Sequence, residues 1–253
     1  MNVSKPVEKL YHYTSINSLA LILQSKSIRL GRLDKVNDPT EGLSSDFHSM
    51  AQYFFISSWT SNSLEDFALW NMYTPLMRGV RIELELPLFP TFSIRKDINN
   101  SLVDANNFIN YKEGYFIASA ENTPVEIIYT NDESLLTPSI KLEDGLFLKA
   151  LSQYKRSVWK IEQEYRYQLI IMPIDRNIEP LEVGNSYSRL LSIQTPPPLD
   201  TYFLEIRKQA FQNMKICLSP KLLAGDRAII EALVNTYNPS AIIQESTVSG
   251  FIR

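Results

Sequence analysis

Two long segments of the sequence alternate apolar and polar residues with a period of two, and this alternation constrains the fold more than any other feature. The first segment spans residues 80–86 and the second spans residues 164–172. Neighbouring side chains of a strand point to opposite faces, so each segment forms a strand with one buried and one polar face. Half-buried strands of this kind are typical of antiparallel sheets. The alternation therefore predicts a sheet that is mostly antiparallel.

Helical periodicity occurs between the predicted strands. Ile16, Leu19, Ala20 and Leu23 recur at the spacing of one helix face, and Ser15 before them is a good N-cap. Further helices are predicted over residues 63–73, 142–158 and 226–237, and further strands over residues 10–14, 28–33, 52–60, 125–130, 214–218 and near 241. The order of these elements lacks a regular β-α-β rhythm. It predicts an α+β fold with a mixed, mostly antiparallel sheet flanked by helices.

Composition argues against several classes of protein. Only 8 glycines occur among 253 residues and none builds a Gly-x-Gly-x-x-Gly or P-loop motif, which disfavours nucleotide binding through a glycine-rich loop. The net charge of −3 argues against a surface that coats a nucleic-acid backbone. Cys217 is the only cysteine, so no intramolecular disulfide can form. With no signal-peptide pattern and no run of ~20 apolar residues, we expect one cytoplasmic, non-membrane domain over residues 1–253.

Five residues that could bind a metal ion fall close together in the sequence: Asp34, Asp38, Glu41, Asp46 and His48. Their spacing matches neither a calcium loop nor a zinc site, so we expect a polar loop and no metal ion. A metal-assisted hydrolase is kept as the least supported functional alternative.

Four basic residues lie in or beside the predicted helix over 142–158: Lys149, Lys155, Arg156 and Lys160. They form either a local basic patch or a solvated helix face. The solvated face is the stronger expectation, because long basic side chains usually extend into water from such positions.

Two short motifs carry groups suited to catalysis. His12 and Thr14 share one face of the first predicted strand, where they could point together into a cleft. The alternative is a hydrogen-bonded histidine at a strand end, with Thr14 helping to cap the helix. Glu162 and Glu164 stand one residue apart at the start of a strand, and Arg166 continues their face. Paired carboxylates raise each other's pKa and an arginine opposes this effect, so the three residues could form a functional site. The alternative is that they form an exposed ladder of charged side chains that contributes little to stability.

A third group combines polar side chains with large aromatic rings. The group includes the turn Asn37-Asp38-Pro39-Thr40-Glu41, Ser57 and Trp59 at the end of a predicted strand, and Trp70 and Tyr73 on the predicted helix that follows. Rings that stack beside a few polar groups suit a small-molecule pocket. The alternative is that these residues form a turn, a strand end and the core face of a helix.

Together these motifs resemble an uncharacterised bacterial family, domain of unknown function twenty-nine seventy-one. The matching segments are Leu10-Tyr11-His12-Tyr13-Thr14, Asn37-Asp38-Pro39-x-Glu41, Leu69-Trp70-x-x-Tyr73 before Gly79-Val80, Val125-x-x-x-Tyr129 and Trp159-x-x-Glu162-x-Glu164-Tyr165-Arg166. They cover about residues 10–166, with a weaker tail over 215–234. The resemblance implies no activity.

A second resemblance, to ADP-ribosyltransferases, does imply one. A histidine and a threonine on a first strand, a polar-aromatic middle strand and a Glu-x-Glu at a later strand are similar to the pattern of those enzymes. It implies NAD as substrate, Glu164 as the catalytic carboxylate and Glu162 as the carboxylate on the acceptor side. It assigns the binding of NAD to His12, Tyr13, Thr14, Ser57, Trp59, Trp70, Tyr73 and Arg166. Four rings compete for stacking on nicotinamide, namely Tyr53, Trp59, Trp70 and Tyr73.

The expected function is therefore that of an NAD-dependent ADP-ribosyltransferase-like enzyme or NAD glycohydrolase, in the setting of a bacterial toxin or phage-defence effector. Its partners would be NAD, a protein or nucleic-acid acceptor, and an inhibitory or activating protein. On this hypothesis Glu164→Gln abolishes turnover and leaves the fold stable. The alternative is a non-catalytic module that binds a nucleotide or a partner in its aromatic pocket.

Overall fold

The computed structural model describes residues 7–47, 50–96, 98–142, 145–174 and 195–251. The described helices are α1 (Ile16–Ser25), α2 (Phe67–Tyr73), α3 (Glu133–Leu136), α4 (Lys208–Gln212) and α5 (Ala224–Tyr237). The strands are β1 (Lys9–Thr14), β2 (Ser27–Arg32), β3 (Phe54–Thr60), β4 (Val80–Glu85), β5 (Ile109–Asn110), β6 (Tyr115–Ser119), β7 (Val125–Glu126), β8 (Ile128–Thr130), β9 (Lys141–Leu142), β10 (Gly145–Leu146), β11 (Tyr154–Arg156), β12 (Glu164–Pro173), β13 (Thr201–Glu205), β14 (Lys215–Leu218) and β15 (Ile242–Gln244).

One sheet joins eleven of the described strands. Its main path runs in the order β15-β14-β4-β1-β3-β12-β6-β5, while β2 pairs with β3, β13 with β2 and β7 with β12. The β14–β15 pair is parallel, and so is the separate β8–β11 pair; the other described pairs are antiparallel. Mixed helices and strands around a mostly antiparallel sheet confirm the predicted α+β class.

Both faces of the sheet are covered. On one face, α1 and α5 pack over alternate residues of β1 and β4, including Leu10, Ile82 and Leu84. On the other face lie two smaller apolar clusters, one around Tyr53 and Phe54 and one formed by Tyr13, Leu69, Trp70, Met77 and Cys217. The register of β1, β3 and β12 places Tyr11, Thr60 and Glu164 on this second face, because directly paired residues share a face. A polar site can therefore form beside α2.

Several local predictions agree with the structure and others need small corrections. The Ser15 hydroxyl caps α1 by accepting from the Ser18 N–H at 3.1 Å. The predicted start of the second helix at Ser63 is wrong, because α2 begins at Phe67 and Asp66 caps it by accepting from the N–H of Ala68 at 2.7 Å. The strand over 52–60 starts at Phe54, and the strand over 125–130 is divided into β7 and β8.

The helix predicted over residues 142–158 is wrong. This segment instead contains the β9–β10 hairpin, a 3-10 helical turn (Leu148–Ser152) and strand β11, and it is followed by a second 3-10 turn (Ser157–Glu162). Parallel pairing of β11 with β8 and burial of Lys155 hold the chain extended at Tyr154–Arg156. These tertiary contacts override a helical apolar pattern that is only a weak local preference.

The sheet forks at β3. On the side of β3 away from β12, β2 pairs with Phe55 and Ile56, whereas β1 pairs at Thr60. Within the described strands, residues 57–59 therefore have no strand partner on this side. The gap separates β1 from β2 beside α1, and it creates room for a ligand.

No helix within the described residues combines the length and the apolar character that crossing a bilayer requires.

We expect Gly79→Ala to destabilise the fold by ~1–3 kcal/mol, the usual range for an overpacked site. A Cβ at this position would lie 2.4 Å from the Thr14 carbonyl oxygen and 2.7 Å from Thr74 Cβ. Urea unfolding measures the change, with Gly225→Ala as the matched control, because a Cβ there meets no heavy atom within 4 Å. An unfolding midpoint for Gly79→Ala equal to that of the wild type would contradict the packing described at the start of β4.

Candidate functional site

A cavity of about 80 Å³ lies on the second face of the sheet, between β1, β3 and α2. An enclosed water needs ~10–15 Å³ on this measure, so the space matches a single ring rather than a large ligand. Its lining includes six residues that the sequence predicted: His12, Tyr13, Trp59, Tyr73, Glu162 and Glu164. The structure thus brings the histidine motif and the glutamate pair to one cavity, although they are about 150 residues apart in the sequence.

His12 reaches this cavity through the gap in the sheet. Its Nδ1–H donates to the carbonyl oxygen of Ser58 at 2.9 Å, which leaves Nε2 as an acceptor. The imidazole also contacts the ring of Trp59, with 5.1 Å between ring centroids. Burial lowers the pKa of His12, the bond to Ser58 opposes this, and the charge of Arg29 lowers it further. His12 is therefore neutral near pH 7 and can accept a hydrogen bond from a ligand.

Glu162 forms the acidic wall nearest to α2. It ends the 3-10 turn (Ser157–Glu162), and Gln163 then adopts a left-handed conformation with φ of 43°. The Tyr73 hydroxyl donates to Glu162 Oε1, and Lys155 Nζ donates to Oε2 at 2.6 Å. Burial raises the pKa of Glu162; Lys155 opposes this rise, and the charge of Glu164 adds to it. Burial and the neighbouring Glu162 also raise the pKa of Tyr73, so its hydroxyl stays protonated.

Glu164 has the opposite electrostatic environment. Arg166 donates to both of its oxygens, from Nε at 2.6 Å and from Nη2 at 2.8 Å, and the Ser58 side chain also hydrogen bonds to it. Burial alone would raise the pKa of Glu164, but the charge and hydrogen bonds of Arg166 hold it below its ordinary value. Two adjacent carboxylates thus have pKa values shifted in opposite directions, which is the usual arrangement for an acid–base pair.

A network of buried charges supports both glutamates. Lys155 Nζ lies 3.3 Å from Glu41 Oε1 and 3.2 Å from Glu164 Oε2, and Arg166 Nη2 lies 2.5 Å from Glu41 Oε2. The network consists of Glu41, Lys155, Glu162, Glu164 and Arg166, all less than a tenth exposed. Three carboxylates and two basic groups leave one net negative charge when all five are ionised. The cavity wall is therefore electronegative.

Sequence reasoning did not assign Lys155 to this site. Lys155 was expected on a solvated helix face, but it is buried, with its ammonium group also over the ring of Trp159 at 4.8 Å from the centroid. Glu41 was grouped by sequence with the polar and aromatic residues of a pocket or, alternatively, with a polar loop. Its motif, Asn37-Asp38-Pro39-x-Glu41, does not indicate that Lys155 and Arg166 are its partners.

Other predicted site residues lie outside the small cavity. Thr14 and Ser57 line a larger cleft instead. Trp70 is fully buried in an apolar cluster and donates through Nε1 to Glu65 at 3.0 Å, so its ring is not available to stack on a ligand. Arg166 lies beneath Glu164 rather than at the cavity surface. Tyr53 is fully buried in the apolar cluster around Phe54. Of the four rings that competed for stacking, Trp59 and Tyr73 therefore line the cavity, together with the rings of Tyr11 and Tyr13.

The larger cleft, of about 600 Å³, lies in the fork between β1 and β2. It shares His12 and Ser58 with the small cavity, so the two spaces adjoin. Three basic side chains line it: Arg29, Arg32 and Lys35. A basic cleft therefore lies next to an acidic cavity.

Within the described residues, no three His, Cys, Asp or Glu side chains are placed to hold a metal ion. Asp34 pairs with Arg32, and Asp46 accepts from the backbone of Ile140 and Lys141. Of the other three residues considered as metal ligands, Asp38 accepts from the Thr40 N–H at 2.9 Å, Glu41 belongs to the buried network, and His48 lies outside the described residues.

No family model matches the sequence, and comparison with curated proteins and with solved structures gives no match. The function is therefore argued from the geometry and charge of the site.

We expect the stability of Glu162→Gln relative to that of the wild type to increase as pH rises. A carboxyl whose folded-state pKa is raised contributes stability below its unfolded-state pKa and loses it as pH rises through the folded-state pKa. The difference in the free energy of unfolding, variant minus wild type, should therefore be largest at about pH 8 and decrease toward about pH 5. Glu113→Gln, at an exposed turn, is the control for the loss of a carboxylate elsewhere on the protein. A difference for Glu162→Gln that grew on acidification would contradict the raised pKa.

Glu164→Gln is expected to destabilise the protein by ~3–5 kcal/mol at neutral pH, because it removes a buried partner of Arg166 and Lys155. The buried network thus predicts a less stable variant than the sequence analysis expected. The lowered pKa means that the contribution of Glu164 is present above its unfolded-state pKa and is lost as pH falls through the folded-state value. Chemical denaturation across pH would measure it, and a variant as stable as the wild type at neutral pH would contradict the network.

Proposed function

We propose that the protein binds NAD, cleaves the bond between nicotinamide and ribose, and transfers ADP-ribose to water or to a macromolecular acceptor. The observation that carries this proposal is the meeting of His12, Glu162 and Glu164 around one cavity that also has Trp59 and Tyr73 in its wall. The histidine and the glutamate pair come from distant parts of the sequence, so their convergence is a property of the fold.

The small cavity suits the nicotinamide ring. Its volume of about 80 Å³ is that of a ring-sized group, and aromatic side chains, among them Trp59 and Tyr73, line it. The net negative charge of the network behind it favours the cationic form of the ring that NAD carries before cleavage. His12 Nε2 is left to accept from an amide or hydroxyl of the ligand.

Glu164 supplies fixed negative charge. When the bond between ribose C1′ and the ring nitrogen breaks, both electrons leave with neutral nicotinamide and positive charge develops at C1′. A carboxylate held ionised by Arg166 and already oriented stabilises this charge without reorganisation.

Glu162 acts as the general base that accepts the proton of the acceptor. The acceptor, water or an O–H or N–H group, forms the new bond to C1′, and its proton passes to the Glu162 carboxylate. The raised pKa of Glu162 makes it a stronger base than an exposed glutamate. The proposed roles thus keep Glu164 as the charge-stabilising carboxylate and Glu162 on the acceptor side.

The rival function is a non-catalytic module that binds a nucleotide or a partner. One observation favours it: both carboxylates already accept from Tyr73, Lys155 and Arg166, as in a site built for stability. The toxin or phage-defence setting, with a protein that restrains or activates the chain, belongs to the enzymatic proposal.

Nicotinamide release from NAD tests the proposal directly. We expect release by the wild type, with or without cell lysate as a source of acceptor, and a loss of about 100-fold or more in Glu162→Gln, the usual range for a missing general base. Glu162→Gln is the informative variant because it should stay folded, and Glu113→Gln is the matched control that should keep full activity.

Glu164→Gln is assayed only at temperatures where circular dichroism shows it folded. Saturable NAD binding without release by the wild type would favour the binding module. Release that persists in Glu162→Gln and in folded Glu164→Gln would remove both glutamates from the mechanism and sink the proposal.

A further inference from the structure

We infer that the large cleft in the fork binds the diphosphate of a nucleotide, with Arg29 and Lys35 as its charged contacts. The assignment of this nucleotide to NAD rests on the proposed function above. The diphosphate specificity rests on the cleft alone.

The cleft exists because the sheet is open there. Strands β1 and β2 leave β3 at different points, so Ser57 and Ser58 line a space that a paired strand would otherwise fill. Gly31 lies on another wall, and a Cβ at that position would meet no heavy atom within 4 Å. The volume of about 600 Å³ is in the range of ligand pockets and exceeds what a single phosphate ion needs.

The cleft contains positive charge that the protein does not neutralise. Arg32 donates to Asp34 and Asp200, so its charge is balanced. Arg29 and Lys35 form no ion pair among the residues that the structure describes, although both line the cleft. Two unpaired cations match the two negative charges of the diphosphate in a dinucleotide, and hydrogen bonds between charged groups are the strong ones.

Hydroxyl groups complete the recognition chemistry. The cleft is also lined by Ser18, Ser27, Ser57 and Thr201. Serine and threonine hydroxyls donate readily to phosphate oxygens, and this arrangement does not need the glycine-rich loop that the sequence lacks.

The two adjoining spaces form a pair of opposite charge. His12 and Ser58 line both, with the Glu162–Glu164 wall on one side and Arg29 on the other, close enough for its charge to lower the pKa of His12. A ligand that fills both spaces carries a cationic ring at one end and anionic phosphates further along. Such a ligand is a dinucleotide of the NAD type, not a nucleoside.

Calorimetric titration with ADP and with adenosine tests the inference. We expect ADP to bind the wild type about 10-fold or more tightly than adenosine, with an affinity that falls as salt is raised. Arg29→Gln/Lys35→Gln should remove this preference and leave adenosine binding unchanged. Lys112→Gln/Lys208→Gln, which removes two exposed cations elsewhere, is the charge-matched control.

A second variant tests the location by shape rather than charge. Gly31→Leu fills the cleft without a backbone clash, so it should stay folded by circular dichroism and lose affinity for both ADP and adenosine.

Equal affinities for ADP and adenosine, or unchanged ADP binding in the double variant, would overturn the inference. So would tighter binding of a single-stranded oligonucleotide that depends on the same two residues. Because ADP has no nicotinamide to release, its binding is independent of turnover. If ADP binds but NAD is not cleaved, the diphosphate site is supported and the proposed enzymatic activity is contradicted. If NAD is cleaved but the variants bind ADP as the wild type does, the enzymatic activity is supported and the diphosphate site is contradicted.

Discussion

The structure depends on a group of charges buried together on one face of its sheet. Removing a charged side chain from water costs several kcal/mol unless a partner of opposite charge and well-directed hydrogen bonds compensate. Glu41, Lys155, Glu162, Glu164 and Arg166 compensate one another, and they come from a loop, a short strand, a 3-10 turn and the start of β12. Glu164 and Arg166 pair within β12, whereas Glu41 and Lys155 find their partners only on other segments. These contacts tie the loop and the short strand to the start of β12.

This dependence explains which parts of the fold the sequence revealed. The strands over 80–86 and 164–172 were predicted because their alternation is a local property, and α1 was predicted because Ser15 and its apolar stripe are local too. The expectation that the second strand is half-buried is wrong, because its polar residues Glu164, Arg166 and Gln168 are also buried. The helix predicted over residues 142–158 was wrong because the structure of this segment depends on distant contacts. Its conformation is decided by the pairing of β11 with β8 and by the glutamates that surround Lys155, and neither is visible within the segment itself.

The candidate site was partly predictable for the same reason. The motifs around His12 and the glutamate pair identified residues that do line one cavity, because short polar motifs at strand ends are locally recognisable. The choice among the aromatic rings was not predictable. Trp59 and Trp70 are both buried in apolar clusters, yet only Trp59 also lines the cavity, and the sequence around each ring does not show this difference.

The fork at β3 has a mechanical consequence. Residues 57–59 lack a strand partner on one side, so this part of the sheet is held less firmly than the β3–β12 ladder beside it. A molecule lodged in the fork stands where a strand segment is missing and can connect β1, β2 and β3. Its binding energy then adds to the cohesion of the sheet itself, because whatever binds only the folded form stabilises it. A ligand in the fork would therefore stabilise the whole sheet, including β12, the strand that carries Glu164.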